Sequence, residues 1–237
     1  QLKSTQRTVA IKKLATMGVG DSEKAKKAQT AIPRLVKLYD ADKDRGEVVL
    51  ALISMAAKDA ETLRVMTTAI TDKNEMGAAA AAADYLGDAG HKAAVKQLIA
   101  VVDTEMEDEV KAAALRAVLK FKDPSTVDDL IRILDRSVDQ QWIHLNALAC
   151  KALGEIGSPE ADKALSSLVK GIFMRDKFSR MAFRDCAVAL LKFRTAAAKA
   201  LIAAITGEDK IVAKWSQDQG HVTGLIPEEA SKVLGLI

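Results

Sequence analysis

Aromatic side chains make up only 4% of this sequence, and proline occurs four times, cysteine twice and histidine three times. Each scarcity excludes something. Few aromatic or β-branched runs, in rows dense in Ala, Leu and Lys, exclude an all-β fold. The low proline and glycine content, with 49% hydrophobic and 28% charged residues over 237 positions, excludes disorder as the main state. No charge-free run approaches the roughly 20 apolar residues needed to cross a bilayer, so no transmembrane segment is expected. Two cysteines, Cys150 and Cys186, make neither a disulfide framework nor a metal site on their own. They lean toward a reducing, cytoplasmic setting and leave a processed extracytoplasmic protein open. The chain opens on Gln1 rather than Met and reads as a trimmed or processed piece.

Catalytic patterns are also absent. His91, His144 and His221 share no zinc-binding spacing, and no glycine-rich phosphate loop is present. The acidic run Glu105-Met106-Glu107-Asp108-Glu109 lacks the alternating ligands and central glycine of a calcium loop. It supplies negative charge to a helix N-terminus instead. We therefore expect no catalytic residues, no metal and no cofactor, and read the chain as not an enzyme.

Charge is present but unevenly placed. The formal net charge is +3. Residues 1–37 hold nine Lys/Arg against two Asp/Glu, residues 38–164 fifteen against twenty-three, and residues 165–207 eight against two. The regional net charges are +7, −8 and +6. The two basic blocks either meet an anionic partner or simply solvate helix surfaces.

Self-similarity organises the rest. Ala152-Leu153-Gly154-Glu155-Ile156-Gly157-Ser158-Pro159 reappears as Tyr85-Leu86-Gly87-Asp88-Ala89-Gly90, as Ala117-Val118-Leu119-Lys120-Phe121-Lys122-Asp123-Pro124 and as Val233-Leu234-Gly235-Leu236-Ile237. With Leu14, Leu52, Leu86, Val118, Leu153, Leu190 and Leu234 as anchors, seven copies tile the chain at spacings of 38, 34, 32, 35, 37 and 44 residues. Four residues before the anchor stand Ala10, Val48, Ala82, Ala114, Ala149, Cys186 and Ala230, none larger than valine. Three residues after it, most copies carry an apolar side chain. These positions share one helical stripe and predict a buried seam where a small residue lets helices approach. Cys186 lies in that small column and Cys150 one position along, so both thiols are expected as core packing groups.

A second stripe twelve and fifteen residues after the anchor, Leu98/Val101, Leu130/Ile133, Leu165/Leu168 and Ile202/Ile205, predicts a second helix in copies three to six. Glycine stops and Ser-Pro or Asp-Pro starts mark the turns of copies three to five. Insertions are expected near 22–30, as a helical extension, and near 208–226.

Ala83-Asp84-Tyr85-Leu86-Gly87-Asp88-Ala89-Gly90 followed by Ala94-Val95 and Leu98-Ile99, the Ala152 to Gly157 segment with its Ser-Pro turn, and Ala31-Ile32-Pro33-Arg34-Leu35-Val36 resemble HEAT repeats, particularly the short bacterial variety also found in phycobilisome-lyase relatives. The resemblance spans essentially the full length, closer in copies three to five and looser in one, two and six. It implies an all-α fold: a right-handed α-solenoid of about seven helix pairs forming a single array over 1–237, with second helices lining a concave surface. It implies no reaction. The lyase branch raises a bilin lyase-like reading, for which the scarce aromatics give no support. The last pair is incomplete, because Val233-Leu234-Gly235-Leu236-Ile237 ends a first helix. The expectation is that the protein continues there or that another chain covers this end.

Binding residues are sought where a copy breaks its own pattern. Trp142 stands where the other copies carry Lys3, Ala41, Glu75, Glu107, Ser179 and Thr223, and His144 follows it. Trp142 is either a partner contact or a cap on a local seam. Trp215 and His221 fall in the 208–226 insertion, where Trp215 either contacts a partner or folds back onto the array. Lys177, Arg180 and Arg184 lie three and four positions apart on one expected helical face, with Arg175 near its start. The expected function is a non-catalytic protein-protein interaction scaffold, holding a partner with an acidic segment on the concave face or the 140–226 end. The alternative is nucleic-acid binding through blocks 1–37 and 165–207. The acidic middle would repel a long duplex tracking the whole face.

Overall fold

The structure, a computed structural model, describes residues 4–139, 143–173, 180–220 and 225–237. Among these the chain is all-helical: fifteen α-helices, three short 3-10 turns and no strand. In order they are α1 (Ser4–Met17), α2 (Glu23–Gln29), α3 (Ile32–Asp40), α4 (Arg45–Ser54), α5 (Ala60–Ala69), α6 (Met76–Asp88), α7 (Val95–Val102), α8 (Asp108–Phe121), α9 (Val127–Asp139), α10 (Ile143–Ile156), α11 (Leu165–Gly171), α12 (Arg180–Phe193), α13 (Thr195–Thr206), α14 (Lys210–Asp218) and α15 (Leu225–Leu234). The seven anchors fall on α1, α4, α6, α8, α10, α12 and α15.

The helices pack as two compact units, 1–121 and 122–237. In the first unit the anchor helices α1, α4, α6 and α8 pack successively on one another, while α3, α5 and α7 lie against them as second helices. In the second, α10 packs on α12 and on α9, α11 touches α9, α12, α13 and α14, and α15 closes on α13.

The columns read from the sequence become the core. Leu52, Leu86, Leu153 and Leu190 are fully buried and Val118 is nearly so. So are the small residues four positions earlier: Val48, Ala82, Ala114, Ala149, Cys186 and Ala230 are all 0% exposed. Leu14 and Leu234 are only half-buried.

First helices also approach closely where Gly87 and Gly154 follow their anchors. A Cβ on Gly87 would lie 2.7 Å from the Ala117 Cα, and one on Gly154 would lie 2.9 Å from the Ala189 Cα. Turn chemistry also holds: Gly90 and Gly157 take positive φ after α6 and α10, and the Asp123 side chain accepts from the Ser125 N–H. The 22–30 insertion is the helix α2, capped by Ser22, whose Oγ accepts from the Ala25 N–H at 3.1 Å.

Two expectations are corrected. Cys150 and Cys186 are not separate thiols; a disulfide joins them across α10 and α12 with Cα atoms 4.9 Å apart. Stacked first helices bring the position three before one anchor against the position four before the next. In copy six the second stripe is not Ile202/Ile205, since Ile202 is 48% exposed and Ala197, Leu201 and Ala204 are buried. Copies three to five enter their second helix through a 3-10 turn, whereas α12 and α13 are separated by Arg194 alone, at φ 46°. The shorter turn presents a different face of α13.

Candidate interaction surface

The basic block 165–207 lies wholly in the second unit, and its described cations divide into two kinds. Lys170 is buried to 8% exposure and pairs with Asp135 at 2.5 Å. Lys192 pairs with Glu155, which also receives Lys122 at 2.6 Å. Hydrogen bonds from Lys122 and then Lys192 lower the Glu155 carboxyl to about 2. Arg184, Arg194 and Lys199, exposed as Lys192 is, take part in no ion pair among the described residues.

Arg194 and Lys199 border an open cleft of about 830 Å³ between α11, α13 and the start of α14. Its walls carry the hydroxyls of Ser158, Ser166 and Thr195 and the apolar faces of Leu165 and Phe193. Two of its carboxylates serve the fold. Asp162 accepts from the Ser158 hydroxyl, and Asp209 caps α14 through the N–H groups of Ile211 and Val212 while accepting from Ser166 Oγ at 2.8 Å. Glu208, the third, is exposed.

His144 is exposed near the start of α10, and Arg184 is exposed on α12. Arg180 opens α12, its side chain lying outside the described ones. Trp142, Arg175, Lys177 and His221 fall outside the described residues. Trp215 sits on α14, half-buried, with its ring 6.4 Å from that of the buried Phe173. The 208–226 insertion thus contains a helix that folds its tryptophan onto the unit.

In block 1–37, Lys12, Lys13, Lys24, Lys27, Arg34 and Lys37 are exposed. Arg7 pairs with Asp44 at 2.6 Å, and this hydrogen bond holds the Asp44 carboxyl below its usual range. The first unit also has an apolar groove of about 580 Å³ along Ile32, Pro33 and Val36. Its acids are engaged within the fold: Arg64 binds Asp40 at 3.0 Å and Glu61 at 2.8 Å, and Asp59 caps α5.

Among the described residues, no group of His, Cys, Asp or Glu is arranged to hold a metal ion, and no helix is long and apolar enough to cross a membrane.

The family model for HEAT repeats matches residues 63–144 and again 95–172. Residues 63–172 belong to the HEAT-repeat family. HEAT repeats generally act as protein-interaction scaffolds. No curated protein matches the chain. Among solved structures, the crystal structure of an engineered protein is similar at 21% identity and a TM-score of 0.39, over 99% of this chain and 91% of that one. That likeness carries no argument, and the fold rests on the helices and their buried columns.

Two features of the second unit depart from expectation. The disulfide was legible in the 36-residue separation of the cysteines, one less than the 37-residue spacing of their anchors. The cleft had no such signal beyond a turn lacking both glycine and proline.

Proposed function

We propose that this chain is a non-catalytic protein-protein interaction scaffold whose second unit captures an acidic segment of a partner protein. The observation that supports this reading is the contrast among cations of block 165–207: Lys170 and Lys192 are paired with Asp135 and Glu155, while Arg184, Arg194 and Lys199 are exposed and take part in no ion pair among the described residues. Stacked helices present these charges on a preformed surface, so little ordering entropy opposes association, and charge sets orientation and encounter rate. Arg175, Lys177 and Arg180 extend the same basic stretch in sequence. Trp142, His144, Trp215 and His221 remain proposed contacts of the 140–226 end.

The test is binding of a fluorescein-labelled decaglutamate peptide, read by anisotropy at low salt. Arg180→Glu with Arg184→Glu is expected to weaken binding about tenfold at unchanged helicity, each exposed charge contributing up to about 1 kcal/mol. Unchanged affinity in the folded double variant would remove Arg180 and Arg184 from the site. The rival, nucleic-acid binding, draws on the exposed lysines of α1 and α2; affinity for duplex DNA that falls steeply with salt would favour it.

A further inference from the structure

We infer that Cys150 and Cys186 form a reversible thiol–disulfide site, poised by the buried amide of Asn146. The bond joins α10 to α12, and Asn146 stands on α10 one turn before Cys150, on the same face. All three residues are 0% exposed. The Asn146 Oδ1 lies 3.3 Å from Cys186 Sγ and 3.9 Å from Cys150 Sγ, so a thiol at either position would be in reach to donate to it.

A disulfide sulfur carries no hydrogen, and neither sulfur donates in the oxidised form. Among the described residues the oxygen then has no donor and Nδ2 no acceptor, which leaves a whole amide unsatisfied in the core. Reduction supplies the missing partner, because the Cys186 S–H donates to Oδ1 across the same 3.3 Å. The first unit carries alanine at all three equivalent positions, Ala79, Ala83 and Ala114, equally buried. A purely structural staple is best served by such apolar neighbours. An amide placed against the sulfurs instead favours the dithiol.

The reductant is a small dithiol. One of its thiolates attacks a cysteine sulfur, breaking the Cys150–Cys186 bond and forming a mixed disulfide; its second thiolate displaces the protein sulfur and closes the reductant's own disulfide. Two electrons and two protons end on the cysteines as two S–H groups. Access runs through α11, only seven residues long, whose last residue lies over the bond: a Cβ on Gly171 would sit 2.6 Å from Cys186 Sγ. Local opening of that helix end uncovers the sulfurs. Reduction then removes the covalent tie between α10 and α12, the helix that carries the exposed Arg184.

The test equilibrates the full chain in mixtures of reduced and oxidised dithiothreitol, traps thiols with iodoacetamide and counts them by mass. The parent is expected to pass between zero and two trapped thiols without urea and at unchanged helicity. Asn146→Ala, which copies Ala79, is expected to need about a fivefold higher ratio of reduced to oxidised reagent for half-conversion, the worth of one net hydrogen bond. Packing lost by the substitution is common to both forms and cancels in that ratio. The reduced parent reads the same bond with no substitution: its S–H infrared stretch is expected at lower frequency than in the urea-unfolded chain. Reduction that proceeds only in urea, or that abolishes helicity, would make the bond a structural staple and overturn the proposal. An equal half-conversion ratio in parent and variant, or an S–H stretch unchanged by unfolding, would overturn the role of Asn146.

Discussion

The two units share a glycine contact and an acid–lysine pair between first helices, yet only one adds a covalent bond. In the first, Gly87 sits against Ala117, Asp84 takes both Arg116 nitrogens at 3.0 and 2.8 Å, and Asp88 meets Lys120 at 2.5 Å. In the second, Gly154 sits against Ala189, Lys151 meets Asp185 at 3.4 Å, and Glu155 takes Lys192. Counting from the anchors, Cys150 and Cys186 occupy the positions of Ala83 and Ala114, all four fully buried. One further difference accompanies the bond. Asn146, 0% exposed, stands where the first unit has the equally buried Ala79. Its Oδ1 lies 3.3 Å from Cys186 Sγ, and its Nδ2 is buried without a hydrogen-bond partner among the described residues. An unpaired buried amide costs about 1–3 kcal/mol. The first unit, with alanine at that position, carries no such cost.

The largest expected effect comes from making the second unit like the first. Cys150→Ala with Cys186→Ala removes a loop constraint spanning 36 residues, for which chain entropy predicts a loss of about 4 kcal/mol. Hydrogen exchange should show the loss in α10 and α12, with α6 and α8 unchanged. Equal loss in both pairs of helices would mean that the bond does not act locally. The converse exchange, Ala83→Cys with Ala114→Cys, is expected to form a disulfide between α6 and α8, detected as a 2 Da mass decrease; persistent free thiols would show that the two helix pairs are not equivalent at this depth.

A smaller effect tests what the units share. Gly87→Ala and Gly154→Ala place a methyl within 3 Å of a neighbouring helix's backbone. Overpacking of about 1–3 kcal/mol then outweighs the helix propensity gained, of up to about 1 kcal/mol. Both variants should lose about 1–2 kcal/mol in urea unfolding. Gly77→Ala, early in α6 with nothing within 4 Å, should instead gain a few tenths. If all three substitutions stabilise, the helices are not in close contact at the two glycines.

What could be read from the sequence follows from which forces have a period. Alanine at 82, 114 and 149, four residues before a large aliphatic anchor, has to face a neighbouring helix, so the seam was visible before any coordinates. Ile202 was misplaced because its face was inferred by counting from Leu190, and counting assumes a constant turn; Arg194 shortens that turn to one residue. The cysteines were placed correctly inside but treated singly, since each satisfied its own column and pairing appears only when consecutive copies are stacked. Trp215 looked like a loop residue because the spacing to the last anchor was long, while the insertion's Asp209 carried the signal of a helix cap. Of the cleft beside α13, Arg194 and Lys199 were legible only as members of the basic block 165–207. The concavity was not, because it depends on how α11, α13 and the start of α14 pack together, which leaves no period in the sequence.

The smallest effect separates the two ion-pair ladders. Glu155 is held by Lys122 and Lys192, and its carboxyl is lowered to about 2 from 4.5. A depressed carboxylate contributes stability that is complete above about pH 4.5 and is lost as pH falls toward 2, because the unfolded chain takes up the proton first. Glu155 is one-third exposed, so the contribution is expected to be below about 1 kcal/mol. Asp88 in the first unit meets Lys120 alone among these lysines, and its side chain is 68% exposed. Urea midpoints of Glu155→Gln should therefore fall below the parent at pH 6 and converge with it near pH 2.5. Asp88→Asn should differ less at every pH. A Glu155→Gln deficit that stays constant down to pH 2.5 would mean that the residue acts through packing, and that the second unit's ladder owes nothing to the shared carboxylate's charge.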